Sequence, residues 1–142
     1  VGLVLASYVC IADLAFDRAL RSDDERAIEA ARQLYVDDPN VEAIVASWYL
    51  GSGDDGLGGA IDHARLAAEY EHTRPIRWVQ LGRLQLQAGD AESARVSLVR
   101  AVELQPTELS AWLALIDVAA ELGDEQLADE ASVRACELLP SC

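Results

Sequence analysis

The 142-residue chain has no lysine and no methionine, and its eleven basic residues are all arginine. Against 25 acidic residues they leave a formal net charge of −14. Nucleic-acid affinity comes largely from Lys and Arg at the phosphates, so this balance excludes nucleic acid as an expected partner. The charge opposes attraction to anionic lipid, and it is compatible with a basic partner or simply with solubility. Because translation starts with methionine, Val1 is expected to be a cut end.

Cysteine is also scarce. Cys10, Cys136 and Cys142 give an odd count, which does not build a disulfide framework, and their spacing is not that of a metal site. Cys10 and Cys136 lie among apolar residues, where a thiol is expected to pack as a small hydrophobic side chain. A bridge between Cys136 and Cys142 is the alternative in an oxidising compartment, and the sequence leaves the compartment undetermined.

Residues typical of catalysis and metal binding are few. His63 and His72 are separated by two and a half helical turns, so their rings are expected on opposite sides of a helix and at the surface. A zinc site needs convergent ligands. The chain shows no Ser-His-Asp or Cys-His arrangement and no marked pair of carboxylates. We therefore predict no catalytic residue, no metal site and no cofactor, and a protein that is not an enzyme.

Glycine is concentrated in residues 51–59, which read GSGDDGLGG. A phosphate-binding loop would need a lysine and the P-loop spacing, and both are missing. A calcium-binding loop would need its pattern of oxygen ligands, which is also missing. This stretch is therefore predicted to be a long, flexible corner within a helical hairpin.

The chain does contain an internal repeat with a step of 34 residues. Trp78, Leu81, Gly89, Ala94, Ala101 and Pro106 recur as Trp112, Leu115, Gly123, Ala128, Ala135 and Pro140. A fixed period of this size is typical of stacked helical hairpins. Within each unit, an apolar face at helical spacing comes first, and a glycine suited to ending a helix follows. An aspartate that can cap a second helix comes next, and a proline ends the unit.

These residues resemble the tetratricopeptide repeat family. The family pattern of aromatic, leucine, small residue, glycine, alanine, large apolar residue, alanine and proline is met by Trp78, Leu81, Gly82, Gly89, Ala94, Leu98, Ala101 and Pro106. The last repeat departs from it at Ile116 and Ser132. The resemblance implies an all-α, right-handed solenoid of antiparallel helical hairpins with three to four repeats. It also implies a concave groove that binds peptides or helices of other proteins.

One helical-repeat domain over residues 1–142 is predicted. Its parts are an opening hairpin at 1–39, a divergent repeat at 41–73, and two regular repeats at 75–106 and 107–140. Seven or eight helices are expected. If the step of 34 residues is extended towards the N-terminus, Trp48 aligns with Gly82, where the family pattern has a small residue. The divergent hairpin should therefore splay away from the next one. Gly82 is expected at the closest helix approach, and Gln85 on the outer face.

The resemblance also implies which residues line the groove. The groove positions of the family's first helices correspond to Val45, Tyr49, Ile76, Val79, Arg83, Leu86, Gln87, Leu113, Asp117 and Glu121. Members that bind chaperones use a clamp of Lys and Asn, which is absent at these positions. The expected partner is therefore a protein segment captured as a helix or as an extended peptide.

Residues 1–16 are almost entirely apolar, with Asp13 as the single charge. The stretch is too short to cross a bilayer alone, since about 20 apolar residues are needed. Either it opens the first repeat or it ends a spanning helix. An all-round apolar helix is expected to be covered by lipid, upstream sequence or a second copy, so membrane association or self-association is possible.

Two alternative functions remain open. The layout of an apolar helix followed by alanine-rich repeats resembles the C-terminal part of bacterial polysaccharide polymerases and ligases of the O-antigen ligase type. That resemblance implies a soluble repeat region tethered through the apolar helix, with any catalysis upstream. A regulatory domain of a larger signalling protein is the other alternative.

Overall fold

The computed structural model describes residues 2–22, 24–53 and 56–140, and their side chains from residue 12 onward. This part of the chain contains eight α-helices and no strand. The helices are α1 (Gly2–Ser22), α2 (Glu25–Arg32), α3 (Pro39–Gly51), α4 (Leu57–Tyr70), α5 (Pro75–Gln87), α6 (Ala91–Leu104), α7 (Leu109–Leu122) and α8 (Glu125–Leu138). The predictions of an all-α fold and of seven or eight helices are confirmed.

The helix boundaries follow the repeated sequence signals. Asp90 caps α6 by accepting from the Ser93 N–H, and Asp124 caps α8 by accepting from the Leu127 N–H. The preceding Gly89 has a φ of 80°, in the left-handed region that glycine adopts without a Cβ penalty. A proline at the start of a helix opens both α3 and α5, where its missing N–H is no loss.

Successive helices pair into the hairpins α1–α2, α3–α4, α5–α6 and α7–α8, and each hairpin packs on the next to form a helical-repeat solenoid. The largest apolar cluster lies between α5–α6 and α7–α8 and includes Val79, Leu98, Trp112 and Leu115. Gly82 is the closest approach within α5–α6, because an added Cβ would lie 2.7 Å from Leu98 Cγ. Its predicted place is therefore confirmed.

The corner between α3 and α4 is two residues longer than its counterpart. α4 precedes α6 by 34 residues (91 − 57), but α3 precedes α5 by 36 (75 − 39). Under this alignment Ala46, which is 5% exposed, corresponds to Gly82, so a small residue does occupy the close approach. The assignment of Trp48 to the small position was wrong, and the reason for expecting a splayed hairpin disappears with it.

Helix α1 begins within the apolar stretch, and no helix in the described part of the chain is long and apolar enough to cross a membrane. Ala12, Phe16 and Ala19 bury one face of α1 against α2 and α3. The expectation that residues 1–16 are covered from outside concerns Val1 and side chains 2–11, which lie outside the described residues. Among the described side chains of α1, Leu14 is the most exposed large apolar one, at 68%.

Cys136 takes part in a disulfide, so the expectation that it packs as a free thiol was wrong. It lies on α8, half-buried between the apolar face and the surface. The side chain of Cys10 and the whole of Cys142, which carry the remaining two sulfurs, lie outside the described residues.

Candidate functional site

The exposed side of the first helix of each hairpin forms one continuous surface, which we call the first-helix face. Its exposed members are Asn40, Ile44 and Ser47 on α3, Ile76, Gln80, Arg83 and Gln87 on α5, and Leu113, Asp117 and Glu121 on α7. On α5 the spacing of four, three and four residues keeps all of them on one side of the helix. The face is apolar at intervals and carries three charges.

Six of the ten residues assigned to the groove from sequence are exposed on this face: Ile76, Arg83, Gln87, Leu113, Asp117 and Glu121. Val45 and Val79 are core residues, at 0% and 2% exposure, and Leu86 is partly buried against the apolar cluster. Tyr49 turns towards α4, where its ring stacks on His63 with centroids 5.3 Å apart. These four side chains do not lie open in a groove.

These residues lie away from the predicted groove for two physical reasons. Val45 and Tyr49 shift because the longer corner moves α3 by two residues, which rotates them from the surface towards the neighbouring helices. Val79 is covered because the hairpin α7–α8 packs over it, whereas Leu113, one repeat later at 42% exposure, has no described helix above it. The sequence did contain a signal for the misplacement of Val45 and Tyr49, because the loop between Gly51 and Leu57 is two residues longer than the loop between α5 and α6.

A small pocket opens on the first-helix face between α3, α4 and α5. Its volume is about 250 Å³, and we call it the alanine pocket. It is lined by Ala43, Ala46, Ser47, Leu50, Ala64, Ala67, Gln80, Arg83 and Leu84. Of these, only Arg83 was assigned to the groove from the sequence. Ala43, Ala46, Ser47 and Leu50 were missed because they face this side only when α3 is moved by two residues.

The charges of the first-helix face are left unpaired. Between residues 39 and 140, with 54 and 55 undescribed, Arg83 is the one arginine without a carboxylate within ion-pair distance. Neither Asp117 nor Glu121 takes part in any described ion pair. The arginines of α4, α6 and α8 are all paired one turn away at 3.0 to 3.2 Å, as Arg65–Asp62, Arg95–Glu92, Arg100–Glu103 and Arg134–Glu137.

A ring of four charged side chains, which we call the charged ring, joins α2, α3 and α4. Arg32 contacts Glu29 at 3.0 Å and Glu42 at 2.7 Å. His63 Nδ1 lies 2.7 Å from Glu42, and its Nε2 lies 3.0 Å from Glu29. Glu42 is 1% exposed, so this carboxylate depends on its two partners for the hydrogen bonds that water would otherwise supply.

The charged ring corrects the expectation that His63 is a surface residue, because its side chain is only 9% exposed. Each nitrogen of the ring lies within hydrogen-bond distance of a carboxylate, so the imidazole is held between Glu29 and Glu42. Burial lowers the pKa of Arg32, but the hydrogen bonds that Arg32 donates to Glu29 and Glu42, with the charges of both carboxylates, outweigh it, and the pKa is raised overall. We interpret the ring as a structural clamp, since it lies away from the first-helix face.

A second polar contact joins α3 to α5. Arg77, 8% exposed, donates to Glu71 at 2.9 Å and to the side-chain oxygen of Asn40 at 2.8 Å. The hydrogen bond from Arg77 lowers the pKa of Glu71, and the charge of Arg74 lowers it further, against a smaller opposing effect of burial. The first-helix face is therefore held across the α3–α5 junction by a buried arginine.

The opposite surface, formed by α4, α6 and α8, is the second-helix face. Its exposed apolar side chains are Val96 at 68%, Val99 at 36% and Val133 at 57%. Trp78, Val96 and Val99 line a shallow notch of about 470 Å³, and a related notch recurs one repeat later at Trp112. Arg100–Glu103 and Arg134–Glu137 pair at the edges of the two notches, so the arginines beside the notches are already compensated.

Among the described residues, no group of three or more His, Cys, Asp or Glu side chains could hold a metal ion. No known protein family matches the sequence, and no curated protein matches it. Among solved structures the chain is similar to the crystal structure of MamA protein, with a TM-score of 0.71 and 20% identity. The match covers 97% of this chain and 74% of that one.

The chain has a tetratricopeptide-like helical repeat fold. At 20% identity the likeness extends to the fold alone, and the repeat signals of α5 to α8 agree with it. The resemblance to ligases of the O-antigen type finds no support in the comparisons.

Proposed function

We propose that the protein is a non-catalytic interaction scaffold that binds a segment of another protein on its first-helix face. The segment docks as a helix or as an extended peptide across α3, α5 and α7. Ile76 and Leu113, each just over 40% exposed, supply apolar contacts, while Arg83 and Asp117 fix the register of the segment by charge.

The observation that carries this proposal is the contrast in arginine pairing between the two faces. On the second-helix face every arginine is neutralised by a carboxylate of its own helix, as Arg95 is by Glu92. On the first-helix face Arg83 and Asp117 have no such partner among the described residues. Unpaired charges beside exposed apolar side chains are available to a partner, whereas locally paired ones gain little from a new contact.

A peptide-display selection on the whole 142-residue chain tests the proposal. A library of random peptides fused to the coat protein of a phage is enriched on immobilised protein, and the dissociation constant of the enriched peptides is measured. Arg83→Ala combined with Asp117→Ala should weaken binding about tenfold or more, since a charged hydrogen bond at an interface is worth roughly 1.5–3 kcal/mol. The melting temperature should stay unchanged, because both side chains are exposed.

Arg95→Ala is the matched control, since Arg95 is an exposed arginine on the second-helix face. It should leave the affinity unchanged. If Arg95→Ala weakens binding and the double variant does not, the binding surface is the second-helix face. If no peptide is enriched, the protein does not act as a peptide-binding scaffold.

A further inference from the structure

The alanine pocket exists because two successive hairpins fill the same place with side chains of different size. With α3 aligned to α5 by a step of 36 and α4 to α6 by 34, Ala43 corresponds to Val79 and Ala64 to Leu98. Val79 and Leu98 are 2% and 0% exposed and occupy the junction with α7. At the junction with α5, the two alanines leave that space open.

The size of the pocket limits what can enter it. A volume of about 250 Å³ is below the roughly 300–1,000 Å³ of small-molecule sites, but a cavity of about 150 Å³ already holds a benzene ring. The floor consists of apolar atoms, with Ala64 and Ala67 at 5% and 1% exposure. One leucine or aromatic side chain is therefore the occupant that fits both size and chemistry.

The rim of the pocket indicates which charge the occupant should carry. Arg83 lies at the edge, and no carboxylate of the described chain pairs with it. Gln80 is exposed beside it and offers an amide to the same occupant. In a chain with a net charge of −14, this unpaired arginine is an isolated positive point on an acidic protein. A carboxylate on the partner, next to the apolar side chain, complements it.

We propose that the alanine pocket is the specificity site for a partner segment that carries one leucine or aromatic side chain flanked by an aspartate or glutamate. The apolar side chain enters between Ala43 and Ala64, and the flanking carboxylate pairs with Arg83. The proposal rests on the proposed function, because it assigns the recognised chemistry to the same first-helix face. The carboxylate belongs to a side chain within the segment.

The selection described above provides the test when the enriched sequences are read. Peptides fused at their C-terminus to the coat protein have no free terminal carboxylate, so an acidic preference has to come from side chains. Enriched peptides should share a leucine or aromatic residue next to an aspartate or glutamate. Resynthesised peptides with that acid changed to its amide should bind about tenfold more weakly.

Ala43→Leu tests the pocket directly, because it adds three carbon atoms to the lining. It should weaken binding of the enriched peptides about tenfold or more without lowering the melting temperature. Ala30→Leu is the matched control, since Ala30 is an exposed alanine on α2, outside both the pocket and the first-helix face. It should leave binding unchanged.

The outcomes separate the pocket from the wider proposal. Binding that is lost in Arg83→Ala with Asp117→Ala, but kept in Ala43→Leu, would overturn the pocket and leave the first-helix face in place. Enriched peptides without a shared acid would overturn the charge requirement. If the chain forms a dimer that Ala43→Leu disrupts, the occupant is a second copy and the proposed partner is wrong.

Discussion

The hairpins α3–α4 and α5–α6 have helices of equal length that approach each other closely, yet the side chains in their interiors differ. Each first helix has 13 residues and each second helix has 14. Glu42 stands at the place of Trp78, and the stacked pair Tyr49 and His63 stands where Gln85 accepts a 2.7 Å hydrogen bond from Ser97. At these positions one hairpin has a buried carboxylate and an aromatic stack, and the other has an indole and a hydrogen bond between neutral side chains.

The comparison indicates that the repeat geometry depends on a few small positions. Ala46 and Gly82 both lie at the helix crossing, and Ala60 and Ala94 are both 0% exposed on the facing helix. Small side chains there allow two helices to approach closely, while the other interior positions accept a buried charge or an indole. Divergence at those other positions is what creates the alanine pocket.

The largest expected effect is on the charged ring. Glu42→Gln removes the charge that balances Arg32, and breaking a buried ion pair typically costs about 3 kcal/mol. We expect chemical denaturation to show that loss in the free energy of unfolding. Glu103→Gln is the control, because its pair with Arg100 is about half exposed and such pairs contribute at most about 1 kcal/mol. Equal losses would mean that the ring is not a clamp.

The next effect concerns the small position of α5. Gly82→Leu would place a Cβ 2.7 Å from Leu98 Cγ and 3.2 Å from the Ala94 carbonyl, and overpacking of this kind costs about 1–3 kcal/mol. Gln87→Leu, on the exposed side of α5, should cost much less. Gln85 would be a poor control, because it is 7% exposed and the expectation of an outer-face position was wrong. Coinciding denaturant midpoints for the two variants would show that the hairpin register is misassigned.

A coupled exchange between the hairpins tests their alignment. Leu98 packs on a glycine, whereas Ala64 faces Ala46, so in Ala64→Leu the Cγ should crowd the Cβ of Ala46 at the α3–α4 crossing, although the alanine pocket has room for the rest of the side chain. Adding Ala46→Gly should recover part of the loss despite the helix penalty of glycine, with a coupling of about 1 kcal/mol. A double-mutant cycle in denaturant measures it. Strictly additive changes would contradict the two-residue shift of α3.

The smallest effect lies at alkaline pH. Burial raises the pKa of Tyr49 to about 12, together with its hydrogen bond to Glu25. Because the folded pKa exceeds the ordinary value of 10, the stabilisation is complete below pH 10 and is lost as the pH rises towards 12. Tyr49→Phe should therefore flatten the fall of the melting temperature between pH 10 and 12. A fall as steep as in the parent protein would show that other groups cause it.

Much of the structure of the two regular repeats, α5 to α8, could be predicted from the sequence. In α5 to α8, the tryptophans, the capping aspartates and Gly82 lie where a step of 34 predicts them. It failed at Val45, Tyr49 and Trp48, because a corner lengthened by two residues changes which side of α3 is buried without changing its apolar character. It also missed the charged ring, since Glu29, Glu42 and His63 come together only through packing of three helices.

The binding surface can be located most directly by nuclear magnetic resonance of methyl groups. The parent protein is titrated with an enriched peptide, and methyl shifts are compared between faces of similar exposure. The account predicts shifts at Ile44, Leu50, Ile76 and Leu113, which are 41 to 45% exposed on or beside the first-helix face. Val96, Val99 and Val133 should stay unmoved. Shifts confined to these three valines would contradict the central claim that the first-helix face binds the partner.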